Sequence, residues 1–275
     1  MADNAKSLNE LKKLRAKFNW KDTEERQRFL FKFYDLIDDW EGQRPNFRDI
    51  FRPEEIDCLL EEGMSIHLDP EPFIDLLIET GYKDEPDVDQ DGKPHLPRRT
   101  AVHATRGRYP EWERITRKLF KIYDRFDVKY TNDCGDTHLH VACEYGLVKV
   151  VEKFLELGQD PNLFENCDGE SPLTLAVRSG HKDVALSLLR NGVDPNFANK
   201  EGSTILHFLC DGYYGVQPVK MLFEICDESN QPLQVDAKDK FGRTLFNGPW
   251  RDSCRKSSRY SWIVALICPA SFSHL

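Results

Sequence analysis

Three histidines stand in one recurring local setting. His103 closes Thr100-Ala101-Val102-His103, His140 closes Thr137-His138-Leu139-His140, and His207 closes Thr204-Ile205-Leu206-His207. Imidazoles are common metal ligands and general bases, so the set invites a metal or acid–base reading. A fourth copy of the setting, Ser171-Pro172-Leu173-Thr174, places Thr174 in the same slot. That substitution argues against a metal, and repetition alone accounts for three copies. No metal and no catalytic residue are expected.

The cysteines give no metal site either. There are eight, with Cys134 and Cys143 nine apart and Cys210 and Cys226 sixteen apart, and no C-x-x-C occurs. The stretch Met1 to Leu14 is polar and charged, without the apolar core of a secretory signal, so the thiols are expected to be reduced in a cytoplasmic or nuclear protein. The longest apolar run, Trp262 to Cys268, is too short to cross a bilayer, and no membrane partner is expected. The chain has no G-x-x-x-x-G-K-S, G-x-G-x-x-G, G-x-S-x-G or H-E-x-x-H. It is therefore expected not to be an enzyme and to use no cofactor. With 47 acidic against 38 basic side chains and a formal net charge of −9, it lacks the basic footprint of a nucleic-acid binder.

The elements that hold these residues follow from a repeat. Thr137 to Ala142 is echoed by Ser171 to Ala176 and again by Thr204 to Leu209, 34 and 33 residues apart. Gly158-Gln159-Asp160-Pro161-Asn162 returns as Gly192-Val193-Asp194-Pro195-Asn196, and Gly146 as Gly180. In each repeat a Gly turn precedes a Thr or Ser suited to cap a helix. Leu139, Ala142 and Cys143, then Leu173, Ala176 and Val177, share a helical face. Gly146 and Gly180 stop that short helix. A second helix follows, with Val150, Val151, Phe154 and Leu155 or Val184, Ala185, Leu188 and Leu189 as its stripe; Leu155 and Leu189 are expected in the core. A degenerate repeat precedes at Thr100 with Ile115, Leu119 and Ile122, after an insertion at Arg106 to Trp112. Another follows, with Val219, Leu222, Phe223 and Cys226 after an insertion at Asp211 to Gln217. A fifth begins at Asp239 and stops matching after Thr244.

Before the repeats, Ser7 to Glu10 forms a capping box, and Asp22 to Trp40 carries Phe29, Phe33, Leu36, Ile37 and Trp40 at helical spacing. Pro53 opens a further helix with Ile56, Leu59 and Leu60, ended by Gly63. Another spans Phe73, Leu76 and Leu77 and stops at Gly81. The expected organisation is a helical N-terminal capping region at 1–82, a polar linker at 83–97, repeats at 98–244 and an irregular tail at 245–275.

The repeat resembles the ankyrin repeat family, whose pattern is G-x-T-P-L-H-x-A-A, then G-H, then L-L-x-x-G-A-D-x-N. The match is close at 133–166 and 167–199, and the resemblance covers roughly half the chain. The segment G-Y-K-D-E-P-D-V-D before the first repeat is similar to the expanded ankyrin families of insect genomes, with no counterpart to the F-box-like segment some of them carry. The resemblance implies an all-α fold: a solenoid of helix–turn–helix repeats with extended turn loops, behind a small helical bundle. It also implies that the repeat histidines bond to nearby backbone and to the Thr hydroxyl. The tail loses the pattern. One base lost near the Thr244 codon lets another reading frame restore T-P-L, two L-L pairs and G-A-D at repeat spacing. The tail is thus read as a frame-shifted or truncated end, against a naturally divergent one. In either case the Leu206, Phe208, Leu222 and Phe223 surface of the fourth repeat would lack a regular neighbour.

The implied function is a protein-binding scaffold that takes a protein ligand on its concave face and turn tips. The candidate contacts are Asp133, Asp136, Glu144, Tyr145, Asp168, Glu170, Arg178, Lys200, Tyr213 and Tyr214. The tips are acidic on the second and third repeats and basic on the fifth, which favours a ligand with a basic segment. The alternative is a ubiquitin-ligase adaptor that uses residues 1–86 for recruitment.

Overall fold

The structure is a computed structural model of the 275-residue chain. It describes residues 2–38, 40, 44–66, 68–86, 88–91, 98–108, 112–162, 167, 169–211 and 216–244. The expected tail at 245–275, with its reading-frame question, lies outside the described residues. Among those described, the elements are twelve α-helices and a short 3-10 helix at Phe47–Asp49. The chain divides into two compact units, Met1–Asp133 and Cys134–Leu275.

In the first unit, α1 (Ala2–Lys17) starts at Ala2, so Ser7 lies inside it and is not its N-cap. Helix α2 (Thr23–Asp38) buries Phe29, Leu30, Phe33 and Ile37, while Leu36 is half-buried. Phe33 is the centre of an aromatic core. It stacks on Phe29 at 5.5 Å and meets Phe47, Phe51 and Phe73 edge-on at 6.3, 6.0 and 4.9 Å, the arrangement that ring quadrupoles favour. Phe73 comes from α4 (Glu71–Glu79). Pro53 opens α3 (Pro53–Ser65), which runs through Gly63 and so outlasts the expected stop. Arg15 of α1 donates through Nη2 to both oxygens of Glu55 on α3, at 2.9 and 2.8 Å.

The first, degenerate repeat supplies α5 (Ala101–Ala104) and α6 (Glu113–Leu119), which pack on α3 and α4 respectively. This pair therefore belongs to the N-terminal unit, and the stretch expected to be a linker is partly a packed strap. Asp84 is 1% exposed, and its N–H donates to the Ile122 carbonyl at 3.0 Å. Its carboxylate takes Arg98 Nη2 at 2.9 Å and the Tyr130 hydroxyl at 2.5 Å. Arg98 also reaches Asp57 of α3 at 2.5 Å, and Asp57 accepts from the Tyr123 hydroxyl and, at 3.1 Å, from the Ala101 N–H. One guanidinium thus joins two buried carboxylates from segments 27 residues apart in sequence. Buried charges persist only with such full pairing.

The second unit holds three helix pairs: α7 (His138–Glu144) with α8 (Val148–Glu156), α9 (Pro172–Arg178) with α10 (Lys182–Arg190), and α11 (Ile205–Asp211) with α12 (Gln217–Glu228). The first helices pack side by side in the order α7, α9, α11, and the second helices in the order α8, α10, α12. Val184, Ala185, Leu188 and Leu189 are all buried as the stripe requires. On α8 only Val151 and Phe154 are buried; Val150 and Leu155 are half-buried, so Leu155 is not a core residue. In the fourth repeat Leu206 and Leu222 are buried, and Phe208 and Phe223 half-buried.

Candidate functional site

Each repeat presents a turn tip followed by a capped first helix. The caps are local and uniform. The N–H groups of Thr100, Thr137 and Thr204 each donate to Nδ1 of His103, His140 and His207 at 3.1 Å. The Thr hydroxyls lie 3.2, 2.9 and 2.9 Å from the same nitrogens. An Nδ1 that accepts this N–H has its lone pair engaged and cannot use it to ligate a metal. Where Thr174 replaces the histidine, its N–H donates to Ser171 Oγ at 3.1 Å, and the two hydroxyls pair at 3.0 Å. Among the described residues no cluster of three His, Cys, Asp or Glu is placed to hold a metal ion.

The ten candidate contacts do not form one exposed surface. Asp133 and Lys200 are exposed. Asp136, Glu144, Tyr145 and Glu170 are buried, at 3, 3, 1 and 5% exposure. Arg178 is half-buried, and it holds two of these acids: Nη1 donates to Glu170 at 2.6 Å and Nη2 to Glu144 at 3.2 Å. Asp168, Tyr213 and Tyr214 lie outside the described residues. Of the acids read on the second and third tips, Asp136 and Glu170 are thus internal. The Arg178–Glu144 pair ties two neighbouring repeats together, and the Arg178–Glu170 pair lies within one.

Exposure concentrates elsewhere. Phe241, on the tip of the fifth repeat, is 64% exposed. Its turn is fixed by Asp239, whose carboxylate accepts the Phe241 and Arg243 N–H groups at 2.9 and 2.8 Å and Arg243 Nε at 2.6 Å. Lys240 Nζ and the Arg243 guanidinium sit 5.0 and 4.6 Å from the ring centroid. A groove of about 480 Å³ opens beside Arg178, lined also by Val177, Lys182, Pro218 and Met221. A second, of about 540 Å³, lies between α8 and α10, with Val148 and Leu186 in its wall and Glu152, Glu156 and Asp183 around it. The charge pattern of the tips directed attention to acids. Phe241 was legible as a tip residue, but nothing in its spacing marked it as exposed, which Phe31 and Phe197 are as well.

Known proteins share this architecture. The family model for ankyrin repeats, three copies, matches residues 113–199. Ankyrin repeat and MYND domain-containing protein 1 of Mus musculus is 39% identical over 30% of this chain and 10% of its own length. The 2-5A-dependent ribonuclease of Mus musculus is 39% identical over 25% of the chain and 9% of its own. SH3 and multiple ankyrin repeat domains protein 2 of Homo sapiens is 30% identical over 46% of the chain and 6% of its own. The chain spans about a tenth or less of the length of these curated relatives. Ankyrin repeats are in general protein–protein interaction modules. Among the described residues no helix is long and apolar enough to cross a membrane. The helix pairs, their Thr–His caps and the family match agree: the chain carries ankyrin repeats, matched over residues 113–199.

Proposed function

We propose that the chain is a non-enzymatic scaffold that binds another protein through its concave face and turn tips. Phe241 carries this reading: a large aromatic ring, 64% exposed, on a turn whose backbone is already fixed by Asp239. Covering such a ring gains apolar burial with little further ordering of the backbone, which is the character of an interface anchor. The groove beside Arg178 offers more apolar surface in the same unit. A basic segment in the ligand is supported by Glu152, Glu156 and Asp183 around the groove between α8 and α10, which outnumber Arg190 in the same wall. Complementary charge there would chiefly speed association and make it salt-sensitive.

The test places a photo-crosslinking residue at position 241 of the full chain and recovers the captured protein. With that protein purified, Phe241→Ala and Phe241→Glu should each weaken binding at least about tenfold, the cost of losing one modest anchor. Unchanged affinity in both variants would remove the tips from consideration. A second reading, recruitment of a ubiquitin ligase by residues 1–86, is favoured by Phe31, 54% exposed on α2. A crosslinker at position 31 that captures ligase subunits, with none captured from 241, would select it.

A further inference from the structure

Cys134 and Cys167 occupy consecutive turn tips, and both thiols are exposed. The Cys167 N–H donates to the Cys134 carbonyl at 2.7 Å. A main-chain bond of this kind sets the two Cα atoms roughly 5–6 Å apart, within the ~4.4–6.8 Å that a disulfide spans. The direction of the side chains can be read from an equivalent pair of tips. Cys134 and Glu201 each precede a tip glycine by one residue, Gly135 and Gly202, while Cys167 and Lys240 each precede one by two, Gly169 and Gly242. There the same main-chain bond recurs, Lys240 N–H to the Glu201 carbonyl at 2.8 Å. The side chains of those two residues meet in an ion pair. The register of neighbouring tips therefore sends the side chains of these two positions to the same side.

The other described thiols are less available for this chemistry. Cys143, Cys210 and Cys226 are buried, and burial holds the Cys143 proton well above the ordinary thiol range and pushes Cys226 up to about 12. Cys58 is exposed, but burial raises its thiol above the ordinary range.

The geometry points to a modification site: Cys134 and Cys167 form a reversible disulfide between adjacent turn tips when the chain meets a hydroperoxide. One thiolate attacks a peroxide oxygen, the O–O bond breaks, and a sulfenic acid forms with release of hydroxide. The second thiolate attacks that sulfur and expels the hydroxyl, closing the S–S bond. In balance, two thiols and one hydrogen peroxide give one disulfide and two waters. The sulfurs lose two electrons, the peroxide gains them, and both thiol protons end in water. The bond would tie α7 and α8 into a closed loop and clip two tips together. It is read from backbone register and thiol exposure, and stands whether or not the tips bind a ligand.

The reduced full chain is treated with hydrogen peroxide, its remaining thiols are alkylated, and it is mapped by mass spectrometry with and without a reductant. The expected product is a monomer that has lost two hydrogens, with a reductant-sensitive crosslink between the Cys134 and Cys167 peptides. Cys134→Ser or Cys167→Ser should abolish it, and Cys143→Ala should leave it in place. Recovery of the two residues as separate sulfinic acids, as separate alkylated thiols, or crosslinked to any other cysteine or to a second chain overturns the proposal. Phenylarsine oxide, which bridges two neighbouring thiols, gives a readout that needs no oxidation. The reduced chain should bind it at this pair and lose that binding in either serine variant. Binding unchanged in both variants overturns the proposal as well.

Discussion

The imidazole of His181 lies against Gly146 of the preceding repeat. Its Nε2 is 2.9 Å from the Glu144 carbonyl oxygen, and a Cβ built on residue 146 would come within 2.3 Å of its Nδ1. Gly146 also has φ +67°, and Gly180, its equivalent one repeat later, has φ +83° with nothing within 4 Å of a built Cβ. Gly180→Ala should therefore cost only the left-handed strain, about 1–2 kcal/mol. Gly146→Ala should cost about 1 kcal/mol more, because the ring must move and its hydrogen bond is lost. Urea unfolding of the two variants decides the point; equal losses would mean that the His181 contact contributes nothing.

Leu189→Ala should lower stability by about 2–5 kcal/mol, the range for a fully buried leucine, since Leu189 is 2% exposed. Leu155→Ala, at the equivalent position of α8, should cost clearly less, because Leu155 is only half-buried. Phe154→Ala, with Phe154 fully buried, should cost about 3–5 kcal/mol. Denaturation midpoints that rank Leu155 with Leu189 would contradict this burial pattern.

Arg98→Met should destabilise the first unit by about 3–5 kcal/mol, since it strands two buried carboxylates. Burial pushes the Asp57 carboxyl up to about 6, beyond what Arg98 and the Tyr123 hydroxyl offset, and Asp84 adds repulsion. A folded-state pKa above the unfolded one means that the folded chain takes the proton first as pH falls. The stability from this group is fully present below about 3.8 and is lost as pH rises through about 6. Wild type should thus gain about 1 kcal/mol on Asp57→Asn between pH 7 and pH 5. A constant gap between the two proteins over that interval would show that Asp57 does not titrate there.

Tyr145→Ala and Glu170→Lys should both act on stability. Tyr145 is 1% exposed, so its truncation should cost about 3–5 kcal/mol. Glu170→Lys would bury a cation beside Arg178 and should cost at least about 2 kcal/mol. Lys200→Glu and Asp133→Lys, both at exposed positions, should stay within about 0.5 kcal/mol of wild type. Thermal melts of the four variants check the division, which also determines which of them are clean probes of binding.

What the sequence by itself determined is whatever depends on contacts three or four residues apart. The Thr–x–x–His cap, Gly146 and Gly180 after α7 and α9, and the apolar stripes of α9 and α10 are local, so a period of about one repeat was enough to place them. The tertiary structure decided what depends on contacts between repeats or between distant segments. Arg178 meets Glu144 34 residues away, which takes the expected acidic surface inside. Asp84 and Asp57 converge on Arg98, which turns an expected linker into a packed strap and joins the first repeat to the N-terminal helices. Cys134 and Cys167 become neighbours through the register of adjacent tips. Charge and hydropathy patterns carry no record of these pairings, because a side chain's burial is set by the residue that lands opposite it and not by its own neighbours in the chain.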